Sequence, residues 1–288
     1  MSSLSKSPSL NKLQMTGPVW LASDIHLSEN SPATALAFYD FLEDASQQAS
    51  ALFILGDLFD VWVGDDVIKR PASWLKQALE ALARCAAHIP VYVGLGNRDF
   101  LLGAAFIKHI GAHPLADQTL ICVGTTTVLI SHGDEYCTLD QSYQRFKWWV
   151  RQPWVQYAFR LLSLSQRLNI ASQARAQSIK KMAQLSTKRA HTGEQTEPDI
   201  IDASTDAVMT AFSRFGVNTI IHGHTHRPGQ HCDDIDGKIF TRWVLPDWEY
   251  DHLATDTLPR GGYIEISNQG VALVEQLKLK HKERHNQT

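Results

Sequence analysis

Short apolar runs that stop abruptly at polar residues dominate the chain. Val19–Ala22, Ala51–Leu55, Val91–Leu95, Val128–Ile130 and Asn218–Ile221 each read as a short buried strand. Between the early runs, Pro32–Gln48 carries apolar residues at helical spacing (Leu36, Phe38, Phe41, Leu42, Ala45), with Ser31 as the expected N-cap. Trp74–Ala87, with Pro71 near its start, and Asp202–Phe215 predict two more helices, and Ile239–Leu245, Gly262–Ile266 and Val271–Glu275 three more strands. The order is β-α-β-α-β early and strand-rich late. It predicts an α/β protein with stacked sheets and helices outside.

Each of the first five strands ends in a cluster of Asp, His or Asn: Ser23-Asp24-Ile25-His26, Gly56-Asp57, Gly96-Asn97-Arg98-Asp99, Ser131-His132-Gly133-Asp134 and His222-Gly223-His224-Thr225-His226. In open α/β sheets ligands gather at the carboxyl ends of strands, so five clusters are expected to converge on one place. Singly, each is also an ordinary polar turn, since Asp, Asn and Gly are turn residues. Together they offer Asp24, His26, Asp57, Asn97, His132, His224 and His226, a mixed oxygen and nitrogen set that suits Mn²⁺, Fe²⁺ or Zn²⁺ better than Ca²⁺ or Mg²⁺. Seven ligands exceed what one such ion takes and fit two ions sharing a carboxylate, an arrangement able to clamp an attacking hydroxide and the phosphoryl oxygens. In Asp24-x-His26 alternate residues of an extended segment would face one ion. His224-x-His226 either does the same or divides between the two ions. Gly56, Gly96 and Gly223 stand where the backbone must bend beside such a cluster.

Composition narrows little. The 288 residues are 44% hydrophobic and 20% charged with a formal charge of −3, ordinary for a globular protein with one substantial core. Cys85, Cys122, Cys137 and Cys232 form no C-x-x-C pair, which favours a reducing compartment over a disulfide framework. No apolar run approaches a membrane span, and residues 1–17 lack the apolar core of a secretory signal. Residues 1–17 are expected to be a disordered tail, 18–276 the domain, and 277–288 a polar C-terminal tail.

The five clusters resemble the signature blocks of the calcineurin-like metallophosphoesterases, over Val19 to about Arg227. The resemblance implies a four-layer α/β/β/α sandwich with two Mn²⁺ ions. It places one ion on Asp24, His26, Asp57 and His226 and the other on Asp57, Asn97, His132 and His224. Many members carry Gly-Asn-His in the third block, whereas this chain has Arg98. A guanidinium is a poor general acid and a good bidentate phosphate clamp, which suits an anhydride whose leaving phosphate needs no proton; the plainer alternative is a surface pair with Asp99. Asn97, Arg98 and His224 are accordingly expected to stabilise the charge that develops on the phosphoryl oxygens. Asp60, Asp99 and Asp134 are candidates to orient the histidines or the arginine.

Longer stretches, ILGDLFDVWVGDD from Ile54, GNRDFLLG from Gly96, SHGDEYCTLDQSYQRF from Ser131 and IHGHTHRP from Ile221, resemble a narrower branch, the UDP-2,3-diacylglucosamine diphosphatases of lipid A biosynthesis. This implies hydrolysis of a lipid-linked UDP pyrophosphate by water attacking the α-phosphorus, at the cytoplasmic face of a bacterial inner membrane, with no obligate protein partner. The alternatives are a phosphoesterase for another nucleotide anhydride and a metal-binding scaffold without turnover. By motif match Asp140, Tyr143, Arg175 and Ser178 would meet substrate alongside Asn97, Arg98 and His224. The branch's following Asn and Lys fall here on Met182 and Leu185, leaving Lys181 or Lys188 to substitute.

Between Asp140 and Glu194 there is no acidic residue, against ten basic ones, a local charge of +10 beside −13 for the remainder. The same segment carries Trp148, Trp149, Trp154, Tyr157 and Phe159. It reads as an inserted helical lid, about 140–200, sheltering acyl chains and resting on an anionic membrane. Ordinary packing helices or a nucleic-acid surface have similar composition, and the resemblance decides for the lipid and against nucleic acid. The polar stretch from Lys188 to Pro198 is expected to be a flexible loop.

Overall fold

A computed structural model describes residues 11–192, 202–253 and 257–275, without the side chains of residues 178, 179 and 181–192. Two six-stranded sheets stack face to face. The first runs β12(Gly270–Glu275)-β11(Gly262–Ser267)-β2(Val19–Ala22)-β3(Ala51–Ile54)-β4(Val91–Val93)-β5(His113–Pro114), with β2 through β5 parallel. The second runs β1(Lys12–Met15)-β6(Gln118–Val123)-β7(Thr126–Ser131)-β8(Thr219–His222)-β10(Lys238–Val244)-β9(Gly229–Ile235), with β7, β8 and β10 parallel. On the outer face of the first sheet lie α1(Pro32–Gln48), α2(Ser73–Ala86) and α3(Ala104–Ile110); on that of the second lies α7(Thr205–Phe215).

The period of two along each strand builds the layers. In β2, Val19 and Leu21 point between the sheets with Phe53, Ile121, Val128, Ile130, Ile221 and Ile264, while Trp20 and Ala22 point outward to the helices. Strands buried on both faces read as continuous apolar runs, which is why these were found from sequence. The fold is the expected four-layer α/β/β/α sandwich.

Three expectations are corrected. Lys12–Met15, placed in the disordered tail, forms β1, an edge strand paired in parallel with Leu120–Val123; it has no apolar run because its alternate residues face solvent, while Leu13 and Met15 pack on the core between the sheets. Ser31 does not cap α1 with its side chain. Its hydroxyl accepts from Ser28 N, and the helix end is satisfied by Asp251, which takes Ala33 N and Thr34 N, both at 2.8 Å, and the Thr34 hydroxyl at 2.7 Å. The helix assigned to Asp202–Phe215 begins at Thr205, because Ser204 caps it by accepting from Ala207 N.

The inserted segment is helical: α4(Gln141–Val150), α5(Pro153–Arg160) and α6(Leu164–Thr192). Residues 188–192 of the expected loop therefore continue α6, and 193–198 lie outside the described residues. Arg167, 3% exposed, ties α6 to the core: its guanidinium grips both carboxylate oxygens of Asp66, binds Val63 O, and donates through Nε to Leu162 O at 3.1 Å.

Candidate metal centre

Beyond the strand ends the loops stay paired. Asp24 N donates to Gly56 O at 3.1 Å, His26 N to Asp57 O at 3.0 Å, and Gly223 N to His132 O at 2.9 Å. The clusters that follow β2 and β3, and those that follow β7 and β8, are thereby laid side by side. Asp99, fully buried, holds the third cluster against the second: one carboxylate accepts from Gly96 N (2.8 Å), Asp57 N (3.2 Å), Leu58 N (2.8 Å) and Phe59 N (3.3 Å). Gly96 and Gly223 allow close approach, since a Cβ on Gly96 would overlap Asp57 Oδ1 and one on Gly223 would overlap Ser23 Oγ and Asp24 Oδ2.

All seven side chains meet. Asp24, His26 and His226 bring ligand atoms within 4.8 Å of one another, as do Asp24, Asp57 and His132. Asn97 Oδ1 accepts from His132 Nε2 at 3.1 Å and from His224 Nδ1 at 3.0 Å. His224 thus faces Asn97 while His226 Nε2 faces Asp24 Oδ1 at 3.3 Å, so the His-x-His pair divides between two ends of the cluster. Asp57 Oδ2 lies 4.0 Å from His26 Nδ1 and 3.9 Å from His132 Nε2, midway between those ends. The backbone device differs from the extended one expected. Asp24, His26, Asp57, His224 and His226 all hold φ between +52° and +67°, the left-handed region that non-glycine residues rarely adopt. Such conformations cost of order 1 kcal/mol each or more and persist where the surroundings over-determine them, typically at functional sites.

The electrostatics of the metal-free cluster fit ions. Both ring nitrogens of His26 and Nδ1 of His132 are buried without a hydrogen-bond partner among the described residues, a costly state that metal ligation relieves. Burial pushes the Asp57 carboxyl up to about 7, with Asp99 and Asp24 adding to the rise and His132 opposing it. Burial also raises Asp24, but its bond to His226 and the nearby imidazoles outweigh that and hold it well below the carboxylate range. Burial lowers His26, helped by Arg98, and takes His224 down to about 3, leaving both neutral as ligation requires. The gaps of 3.9–4.0 Å around Asp57 Oδ2 are too long for hydrogen bonds and accommodate ligands held about 2.0–2.2 Å from a shared ion.

Around this cluster the other expected residues divide. Arg98 turns away from Asp99: its Nη1 binds Asp60 Oδ1 at 2.6 Å, its Nε lies 3.6 Å from Asp57 Oδ2, and its N–H donates to Asp57 Oδ1. Arg175 reaches from the lid to the same Asp60 oxygen at 2.7 Å. Tyr143 donates its hydroxyl to Asp134 at 2.7 Å and its ring stacks over His224 at 6.1 Å; Lys147 completes the group, 2.9 Å from Asp134. Asp140 caps α4 by accepting from Tyr143 N. The side chains of Ser178 and Lys181 lie outside the described residues. Sequence reasoning missed Ser23, which donates to Asp24, and Asp247, whose Oδ2 sits 3.5 Å from His226 Nδ1 while Arg260 grips it at 2.7 Å. No strand-end motif marks Asp247, which lies 21 positions beyond its histidine.

Comparison with known proteins agrees with this geometry. The family model "Calcineurin-like phosphoesterase" matches residues 17–228. A "UDP-2,3-diacylglucosamine hydrolase" of Bordetella parapertussis is 43% identical over 262 residues, covering 91% of this chain and 96% of that one. Proteins of the same name are 39% identical in Ralstonia nicotianae, covering 91% of this chain and 94% of that one, and 38% identical in Pseudomonas paraeruginosa, covering 80% and 91%.

Proposed function

From the premise that this chain belongs to the calcineurin-like phosphoesterase family, we propose how its strand-end cluster cleaves a pyrophosphate. The chain is a UDP-2,3-diacylglucosamine hydrolase, acting in lipid A biosynthesis; relatives of that name match it along nearly their whole length. The observation that carries the mechanism is the position of Asp57 Oδ2 midway between the Asp24–His26–His226 end and the Asn97–His132–His224 end. On this reading Asp24, His26, Asp57 and His226 hold one divalent ion and Asp57, Asn97, His132 and His224 a second, with Mn²⁺ as the ion of choice for this donor set. When bound, such a pair lowers the pKa of a water and neutralises charge on phosphoryl oxygens.

The residues of the chain do the rest. Arg98, held by Asp60 and Asp57, keeps guanidinium N–H groups free to meet the phosphoryl oxygens, and Arg175 brings a second guanidinium from the lid to the same point. The departing sugar phosphate is a weak base, so a cation serves it better than an acid. Asn97 and His224 orient the phosphoryl oxygens from the opposite side. Water attacks the uridine-proximal phosphorus, releasing UMP and the diacylated sugar 1-phosphate.

The lid supports a lipid substrate. Trp148, Trp149, Trp154, Tyr157 and Leu161 are all more than half exposed, beside Arg145, Arg151 and Arg160 on a segment without acidic residues. Aromatics of this kind with basic neighbours suit an anionic lipid surface, to which each cation contributes about 1 kcal/mol. No described helix is long and apolar enough to cross a membrane. The test is turnover of UDP-2,3-diacylglucosamine against UDP-N-acetylglucosamine. The acylated substrate is expected to be favoured at least about a hundredfold, since each buried methylene contributes about 0.8 kcal/mol. Equal turnover of both would overturn the assignment.

A further inference from the structure

The cluster has two flanks of different character. On one, Arg98 and Arg175 converge on Asp60. On the other, past His132 and Asp134, lies a cavity of about 530 Å³ that none of those three residues lines. Its walls are partly apolar, with Leu95, Leu115 and Phe215, and partly polar, with Thr210 of α7, Glu135, and Lys147 and Arg151 at the end of α4. The Glu135 carboxyl is bonded by Ser131, and its Oε2 accepts from Gly133 N at 3.2 Å, but Oε1 is buried with no hydrogen-bond partner among the described residues. A buried acceptor left unpaired is destabilising, and a ligand that brings a donor removes the cost.

We propose that this cavity is the nucleoside subsite, receiving the uracil and ribose of the substrate, with Glu135 Oε1 accepting from a base N–H or a ribose hydroxyl. The inference rests on the UDP-lipid reading above. The phosphorus at the cluster carries two unlike halves, and the two flanks match them. The acylated half needs apolar surface, which the lid exposes in quantity. The nucleoside half is a planar base plus a diol, and needs apolar walls with a few fixed polar groups in a pocket of about 300–1,000 Å³. An acyl chain in this cavity would leave Glu135 Oε1 unpaired, whereas a nucleoside satisfies it.

The experiment is calorimetric titration of the Mn²⁺-loaded protein with UMP, and with inorganic phosphate as a control, in the wild type, Glu135→Leu and Thr210→Trp. Glu135→Leu removes the acceptor; Thr210→Trp fills the cavity from an exposed position on α7. UMP affinity is expected to fall about tenfold in each, the loss of one good hydrogen bond or its equivalent, with phosphate affinity unchanged. Wild-type protein photolabelled with 4-thio-UMP should carry the adduct on residues 115–118, 135–138 or 206–215. Unchanged UMP affinity in both variants, or adducts confined to α5 and α6, which do not line the cavity, overturns the subsite. Turnover of UDP-2,3-diacylglucosamine is scored separately: a wild type that binds UMP in the cavity yet does not cleave the lipid refutes the function and not the subsite.

Discussion

In the proposed centre Asp57 is the residue on which the chemistry turns, and its environment makes a pH-dependent claim. Burial raises its carboxyl to about 7, so in the metal-free chain it holds a proton that an ion must displace. His26 and His224, lowered by burial, are already neutral and add no such penalty. His132 and His226, lowered by burial but raised more by the neighbouring carboxylates, hold further protons, so Mn²⁺ affinity should fall at least about tenfold per pH unit below 7. Calorimetric titration between pH 5.5 and 8.5 checks this; an affinity flat across the range contradicts it. The sign for stability is opposite. A raised carboxylate contributes stability to the metal-free fold that is full below the unfolded value of about 4 and is lost as pH rises through about 7. At this scale the residue types were legible, because Asp, His and Asn at strand ends advertise ligation. Their left-handed backbone was not, since nothing in Asp24-x-His26 distinguishes φ near +55° from extended chain. Nor was Asp247, which meets His226 only through the fold.

Five elements that end where chemistry begins share one construction: an apolar strand buried on both faces, then a loop whose backbone bonds to the neighbouring loop. The strands were legible because double burial leaves a continuous apolar signature. Elements that lean on partners were not. The polar edge strand β9, with most of its residues exposed, reads as loop, and β1 declares itself only beside β6. The start of α1 shows the same dependence. Asp251, 218 positions from Ala33, supplies the cap that Ser31 was expected to give. Asp251→Ala should destabilise the fold by about 1–2 kcal/mol, the usual worth of a cap, while leaving metal stoichiometry intact. Chemical denaturation with a parallel metal assay measures both, and an unchanged denaturation midpoint would show that the cap is dispensable.

At the scale of the whole molecule, two parallel strand sets in stacked sheets point their carboxyl ends the same way, and a basic helical insertion with exposed aromatics stands beside the result. The charge of the helical insertion was legible from a segment free of acidic residues. Its anchoring was not, because Arg167 and Asp66 come together only when α6 crosses the loop after Val63. The proposed mechanism depends on the cluster holding two ions that share Asp57. Anomalous scattering from Mn²⁺-loaded crystals tests that most directly. Two peaks about 3.5–4 Å apart, with the Asp57 carboxylate between them, are predicted. A single peak, or peaks away from Asp57, would contradict it.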